Sequence, residues 1–369
     1  MKFLKRSMQV ILALIVVLVL ATLLYMQHDR FGGKAKGDRL SLMQSKSNYK
    51  DGAFDNIEHT PALAEGTSYS KMLSEFFFAK KVRNIPKDLI PVEKNDLHNL
   101  PIDSNLFVWF GHSSYYIQLD GKKILVDPVF SKYATPVRIS VRAFESEYNY
   151  QVEDIPEIDI LFITHDHWDH LDYNTFMKLK DKVKHIVTGL GVGAHLEKWG
   201  YPAAHITELY WGDHTQLEGF DIHSTTARHF SGRTFTRNTT LWSSFVLKGT
   251  KNIFIGGDSG YGKHFKEIGE TYGPFDFAIL ENGQYNAMWK YIHMMPEEVV
   301  TATTDLRAHY LIPVHSGKFP LANHAWDEPL IRMSKAAAEQ QVATITPKIG
   351  QIVPLDHYSP YAHWWEGMD

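Results

Sequence analysis

Hydrophobic and polar positions fall into two regimes along this chain. The first is one unbroken apolar run, Met8 to Met26, which reads MQVILALIVVLVLATLLYM and holds no charge over 19 residues. A helix of that length is about 28 Å long, close to the ~30 Å hydrocarbon core of a bilayer. Gln9 lies at its edge and Thr22 can bond back to its own helix, so neither opposes insertion. Lys2, Lys5 and Arg6 precede the run. That bias predicts a single-pass membrane anchor with a cytoplasmic N-terminus and the rest of the chain extracytoplasmic. A cleaved signal peptide is the rival reading, but the run is long for one and Ala21-Thr22-Leu23 is a poor cleavage site.

From His28 to about Leu100 the chain is polar and turn-rich, with Gly32-Gly33, Gly37 and scattered Lys, Ser and Asn. This composition predicts a stalk and an arm laid over the main domain. Within it Ser74 to Arg83, SEFFFAKKVR, sets three phenylalanines beside three cations. A membrane-surface contact is one reading; a helix packing its aromatic rings on the domain is the simpler one. The division is then 1–7 basic terminus, 8–26 anchor, 27–100 stalk and arm, and 101–369 folded domain.

The second regime is a succession of short apolar runs separated by turn residues. Leu106–Phe110, Tyr115–Leu119 and Lys123–Val126 read as strands, the last two joined by an Asp120-Gly121 hairpin turn. Ile158–Thr164 and His185–Thr188 are strands separated by a helix near Asn174–Asp181, and Ala194–Trp199 is a short helix. Asp221–Thr226, Leu241–Leu247, Asn252–Ile255, Phe275–Leu280, Tyr310–Pro313 and Gln351–Pro354 read as further strands. Helices fall near Tyr261–Glu270, from Pro296, and over Asp327–Gln340. A meander followed by strand–helix units predicts an α/β domain of two sheets covered by outer helices.

Composition removes several functions. The 369 residues are 44% hydrophobic and 22% charged, an ordinary globular balance. With 38 Lys+Arg against 42 Asp+Glu the net charge is -4, so no basic field favours nucleic acid. There are 0 cysteines, which excludes disulfides, zinc ribbons and cysteine nucleophiles. A metal site here must be built from carboxylates and from the 20 histidines.

The strand Ile158–Thr164 runs straight into His165-Asp166-His167-Trp168-Asp169-His170. Alternate residues leaving a strand point the same way, so His165 and His167 can converge on one ion, and Asp169 and His170 can reach a second. Three further strand ends bring His229, Asp258 and His315, and a carboxylate such as Asp258 can bridge two ions. A lone histidine at a strand end is ordinarily a surface or satisfied core residue. The packed His-x-His-x-Asp-His string serves no packing purpose and reads as a ligand set. Imidazoles with carboxylates suit zinc, manganese or iron, and two such ions form a hydrolytic clamp.

THDHWDHLD, with GHSSYYI and LVDPVFS upstream and GDSGY and PVHSGKF downstream, resembles the metallo-β-lactamase superfamily over about Phe107 to Ile352. The resemblance implies an αβ/βα four-layer sandwich holding two divalent metal ions, zinc being the expected metal. It implies His165, His167 and His229 as ligands of one ion, Asp169, His170 and His315 as ligands of the other, and Asp258 bridging. Within the superfamily, WFGHSSYYI, DPVFS, ARHFSGR, GGDSGY and IHMMPEEVV look most like the phospholipases D that hydrolyse N-acyl-phosphatidylethanolamine. Ile292 departs from that pattern, standing where those enzymes carry a glutamine.

The expected activity is a membrane-anchored, dinuclear phosphodiesterase acting on a lipid, with Asp258 and His293 at the reaction centre. His293 would hold or protonate a phosphate oxygen, or else merely cap the helix from Pro296. His112 reads as support for the ligands, and Arg233 and Arg237 as headgroup-steering or simply solvated cations. The alternatives are a metal-dependent lactonase or esterase with a soluble substrate, or a binding protein that keeps the fold as a scaffold. No feature of the sequence sets an oligomeric state.

Overall fold

The computed structural model describes residues 2–137, 141–357 and 359–369, with the side chains of Lys2, Phe76 and Phe77 outside that description. Leu106–Trp109, Tyr115–Leu119 and Lys122–Val126 form an antiparallel meander. Both residues of the Asp120-Gly121 turn have positive φ, 51° and 72°, as the tight hairpin predicted from the sequence requires. Ile158–Ile163, Val183–Gly189 and Ile206–Leu209 then add in parallel, and Ile352–Pro354 pairs antiparallel with Leu106–Trp109 at the other edge.

The second sheet repeats the plan. His214–Leu217, Phe220–Thr225, Ser244–Lys248 and Asn252–Ile255 are antiparallel, followed in parallel by Phe275–Glu281, Ala308–Val314 and Ala343–Thr344. Each sheet has 7 strands. Phe162 of the first meets Phe245 of the second with ring centroids 5.3 Å apart. Tyr173–Leu179 and Gly193–Lys198 are the helices of the first half. His264–Tyr272, Pro296–Asp305 and Glu328–Gln340 belong to the second. Strands such as Leu106–Trp109 are buried at every residue, which is why they read as continuous apolar runs and not as alternating ones. The architecture is the expected αβ/βα sandwich.

Three differences from the sequence reading have physical causes. Leu241 to Ser243 do not belong to a strand; Leu241 N–H donates to Leu190 O at 2.8 Å and Ser243 N–H to Thr164 O at 2.9 Å. These bonds tie the second half to the first sheet's strand ends, and Leu241 and Trp242 fill a small apolar cluster with Trp211, Phe54 and Met43. Ile206–Leu209 and His214–Leu217 are strands with no apolar run, because as edge strands they stay half-exposed. Between His214–Leu217 and Phe220–Thr225 the turn residue Glu218 reaches across to the first sheet, accepting from Lys122 at 2.7 Å and from Lys184.

At the N-terminus Lys2–Tyr25 is one helix, and Phe3–Tyr25 is long and apolar enough to cross a membrane. The chain after it is no loose stalk. Trp199 Nε1 donates to Asp29 O at 2.7 Å, and Arg39 joins Glu197 and Glu208. Gly32-Gly33 is a close contact and not a hinge: a Cβ on Gly32 would stand 1.9 Å from His195 Nδ1, and one on Gly33 2.2 Å from Ala194 O. Farther on, Tyr69–Phe78 is helical; Phe78 is 85% exposed, and the side chains of Phe76 and Phe77 lie outside the described residues. In the C-terminal aromatic stretch Trp364 and Trp365 are buried, Trp364 against Trp109 and Trp326, whereas Tyr358 lies outside the described residues.

Candidate metal centre

The site forms where strands of both sheets end. Ile158–Ile163 delivers Thr164 and then His165 to His170; the strands Phe220–Thr225, Asn252–Ile255 and Ala308–Val314 are followed by His229, Asp258 and His315. Asp127, at the end of Lys122–Val126, fixes the geometry of the first group. Its carboxylate accepts from Thr164 N–H at 2.9 Å and Thr164 Oγ1 at 2.6 Å, and pairs with His170 Nδ1 at 2.8 Å. With Nδ1 engaged, His170 turns Nε2 toward Asp258 Oδ2, 3.2 Å away.

All seven residues expected as ligands come together. His165 Nε2 and His229 Nε2 lie 2.8 and 3.3 Å from His167 Nδ1, with His229 Nδ1 bonded to Ile292 O at 2.8 Å. The ligand atoms of His165, His167 and His229 lie within 4.8 Å of one another, as do those of Asp169, His170, His315 and His112. Asp258 stands between the groups. Its Oδ2 is 3.8 Å from His165 and 3.7 Å from His229, and its Oδ1 is 3.2 Å from His315 Nδ1.

The chemistry of this donor set fits cations. His170 Nε2, His315 Nε2 and Asp258 Oδ1 are buried atoms with no hydrogen-bond partner, an arrangement that costs about 1–3 kcal/mol per group unless something binds there. Burial holds His165, His229 and His315 well below the ordinary imidazole range, and His167 down to about 4. They are therefore neutral, the form that binds metal. Burial opposes a charge on His170 too, but the carboxylates of Asp258, Asp169 and Asp127 outweigh it and hold that imidazole well above its ordinary range, so a bound cation would take the place of its proton. Imidazoles and carboxylates gathered in this way can hold metal.

Other residues follow or depart from expectation. His112 supports Asp169, with Nε2 at 2.9 Å from Oδ2. His293 does not cap the helix from Pro296; Glu298 accepts from Met295 N–H there, while His293 Nδ1 bonds Glu281 Oε2 at 2.6 Å. Burial opposes a charge on His293, but the Glu281 carboxylate outweighs it and pushes the imidazole up to about 9. Arg233 is buried and not a steering cation, whereas Arg237 lines the cleft above the site. Neither Asp127 nor Glu281 was singled out from the sequence. Each is a lone carboxylate closing an apolar strand, the same signature that marks Asp258 one residue pair beyond its strand.

The cleft has a volume of about 450 Å³. His167, Asp169, Asp258, His293 and His315 form its floor, and Leu63, Met72, Phe230, Trp289, Ile292 and Leu321 give it apolar walls.

Residues 122–316 match the profile of a family described as the β-lactamase superfamily domain. The chain belongs to the β-lactamase superfamily. It is a metal-dependent hydrolase of that superfamily. Among superfamily relatives, it is similar to an uncharacterized protein of Mycobacterium tuberculosis, 36% identical over 330 residues that span 88% of this chain and 89% of that one. It is also similar to N-acyl-phosphatidylethanolamine-hydrolyzing phospholipase D 1 of Caenorhabditis elegans, 30% identical over 266 residues, 64% of this chain and 73% of that one. The metallo-hydrolase Igni18 of Ignicoccus hospitalis shares the superfamily fold at a TM-score of 0.51 and 22% identity, over 68% of this chain and 97% of that one.

Proposed function

We propose that this chain is a membrane-anchored phosphodiesterase of the phospholipase D type, cleaving N-acyl-phosphatidylethanolamine or a related glycerophospholipid on the headgroup side of phosphorus. The observation that carries the reading is the cleft: a floor of imidazoles and carboxylates under apolar walls suits a phosphate joined to acyl chains. The Caenorhabditis elegans relative named for this activity supports it, as does the apolar helix Phe3–Tyr25.

In this reading His165, His167 and His229 would hold one ion and Asp169, His170 and His315 the other, with Asp258 serving both groups. Bound divalent ions, zinc for preference, would supply Lewis acidity at a phosphoryl oxygen and water acidic enough to attack near neutral pH. The chain's own part is positional. Asp127 and Ile292 O fix which nitrogens of His170 and His229 face Asp258. His293, braced by Glu281, donates Nε2–H toward a phosphoryl or leaving oxygen. Arg237, its guanidinium 4.8 Å over the Phe230 ring, draws the anionic headgroup to the mouth. The helix holds the cleft near its substrate, with the domain on the extracytoplasmic side.

The test is to offer the purified full chain vesicles containing N-acyl-phosphatidylethanolamine and, in parallel, a soluble lactone. Phosphatidic acid and N-acylethanolamine are the expected products. Untouched lipid beside a rapidly opened lactone overturns the phospholipase reading and leaves a metal-dependent lactonase. Protease added outside sealed cells should reach the domain, and its protection there would reverse the orientation.

A further inference from the structure

Arg233 departs most from what its sequence position suggests. It is 4% exposed, and among the described residues it makes no ion pair. Its guanidinium instead donates to three backbone carbonyls. Nη1 reaches Asp166 O at 2.9 Å and Leu171 O at 2.7 Å, while Nε and Nη2 reach Arg30 O at 3.1 and 2.8 Å. The first two carbonyls bracket the segment that carries His167, Asp169 and His170. The third lies five residues beyond Tyr25, the last residue of the apolar helix. Burial opposes the charge on Arg233, and Asp166 and Asp172 nearby offset only part of that cost, so its value lies in the geometry it fixes.

A second contact runs along the same line. The guanidinium lies 4.0 Å over the Trp168 ring, and Phe31 meets the same side chain edge-on, with ring centroids 5.2 Å apart. Trp168 stands between His167 and Asp169 in the chain and lines the cleft. Gly32, next to Phe31, is seated against His195, whose Nε2 pairs with Asp166 at 3.0 Å. The segment that leaves the membrane helix is thus fastened to both ends and the middle of the ligand loop.

We propose that Arg233 is a positioning residue that couples this juxtamembrane segment, through Trp168 and Phe31, to the loop carrying the metal ligands. The inference rests on the dinuclear reading above and adds that the loop's affinity for metal is set in part by residues 30–33. Anchoring and metal binding are then one structural unit.

The experiment follows zinc release from the full-length, zinc-loaded protein in detergent, with a chelating dye, for wild type, Phe31→Ala, Arg233→Lys and Arg233→Ala. Supporting ligands of this kind shift metal affinity by about 10- to 100-fold, and Phe31→Ala and both Arg233 variants should release zinc faster by about that factor. Lysine keeps the charge but cannot span three carbonyls, so Arg233→Lys should fail to rescue. Phe31 is only half-buried, and its truncation remains a folded test if Arg233→Ala is not. Wild-type release rates in Phe31→Ala, or full rescue by lysine, would overturn the coupling. A wild-type chain that binds no zinc would end the dinuclear reading itself, a separate outcome.

Discussion

Phe162 and His170 are eight residues apart and equally buried, at 0% exposure, yet they do opposite things for the fold. Phe162 sits inside the sandwich against Phe245 with nothing left to satisfy. His170 sits at the strand ends with one nitrogen committed to Asp127 and the other 3.2 Å from Asp258 with no hydrogen bond made. Burial alone therefore does not separate structure from function here. What separates them is whether the buried atom's bonding capacity is used within the protein.

Chelation tests the comparison most severely. Removal of metal should abolish turnover and lower stability by about 4 kcal/mol when free metal had stood at 1,000 times its dissociation constant, read as a fall in Tm. In the chelated protein Asp258→Asn should lower Tm further, since it removes the carboxylate that pairs with His170 3.2 Å away, and the variant should not recover metal. Phe162→Ala should do the reverse. It should cost about 3–5 kcal/mol in denaturant unfolding while the folded fraction keeps its metal-to-protein ratio. A Phe162→Ala chain that lost metal without losing stability would break the distinction.

His293→Ala sharpens the comparison within the cleft floor, with an expected fall in turnover of about 100-fold at unchanged metal content. Metal loss in that variant would make His293 a ligand and not an acid or hydrogen-bond donor. The smallest effect belongs to the far end of the sheets. Glu218→Gln should cost about 1 kcal/mol near pH 7, because the carboxylate is half-buried but its partners Lys122 and Lys184 reach it from the solvent side. Lys122 and then Lys184 hold the Glu218 carboxyl down from 4.5 to about 2. A depressed carboxyl stabilises the fold above the unfolded value and loses that contribution as pH falls through the folded one. The Tm gap between wild type and Glu218→Gln should therefore persist down to about pH 4.5 and close toward pH 2.

The same distinction explains what was legible in the sequence. Strands buried on both faces announce themselves by composition, and His165 to His170 announce themselves because so many ligand side chains in so short a span have no packing use. The half-exposed edge strands Ile206–Leu209 and His214–Leu217 carry neither signal. Asp127 and Glu281 were missed because a single carboxylate after an apolar run looks like any turn residue until its partners, 43 and 12 residues away, are placed beside it. Arg233 was misread for the opposite reason. An arginine in a polar stretch reads as solvated, and nothing local shows that three carbonyls from distant segments will enclose it. Gly32-Gly33 misled likewise, since the pair that permits a flexible linker also permits the closest approach of two backbones.

The pairing of Ile352–Pro354 with Leu106–Trp109 sets a schedule for biogenesis. The two strands are separated by roughly 240 residues, so at ~5–20 residues per second the first strand waits about 12–50 s for its neighbour. Throughout that interval its open edge can recruit another chain, and a message truncated before codon 352 would leave it open permanently. Nascent chains stalled before Ile352–Pro354 emerges should consequently aggregate, or be held by chaperones, far more than chains stalled after it.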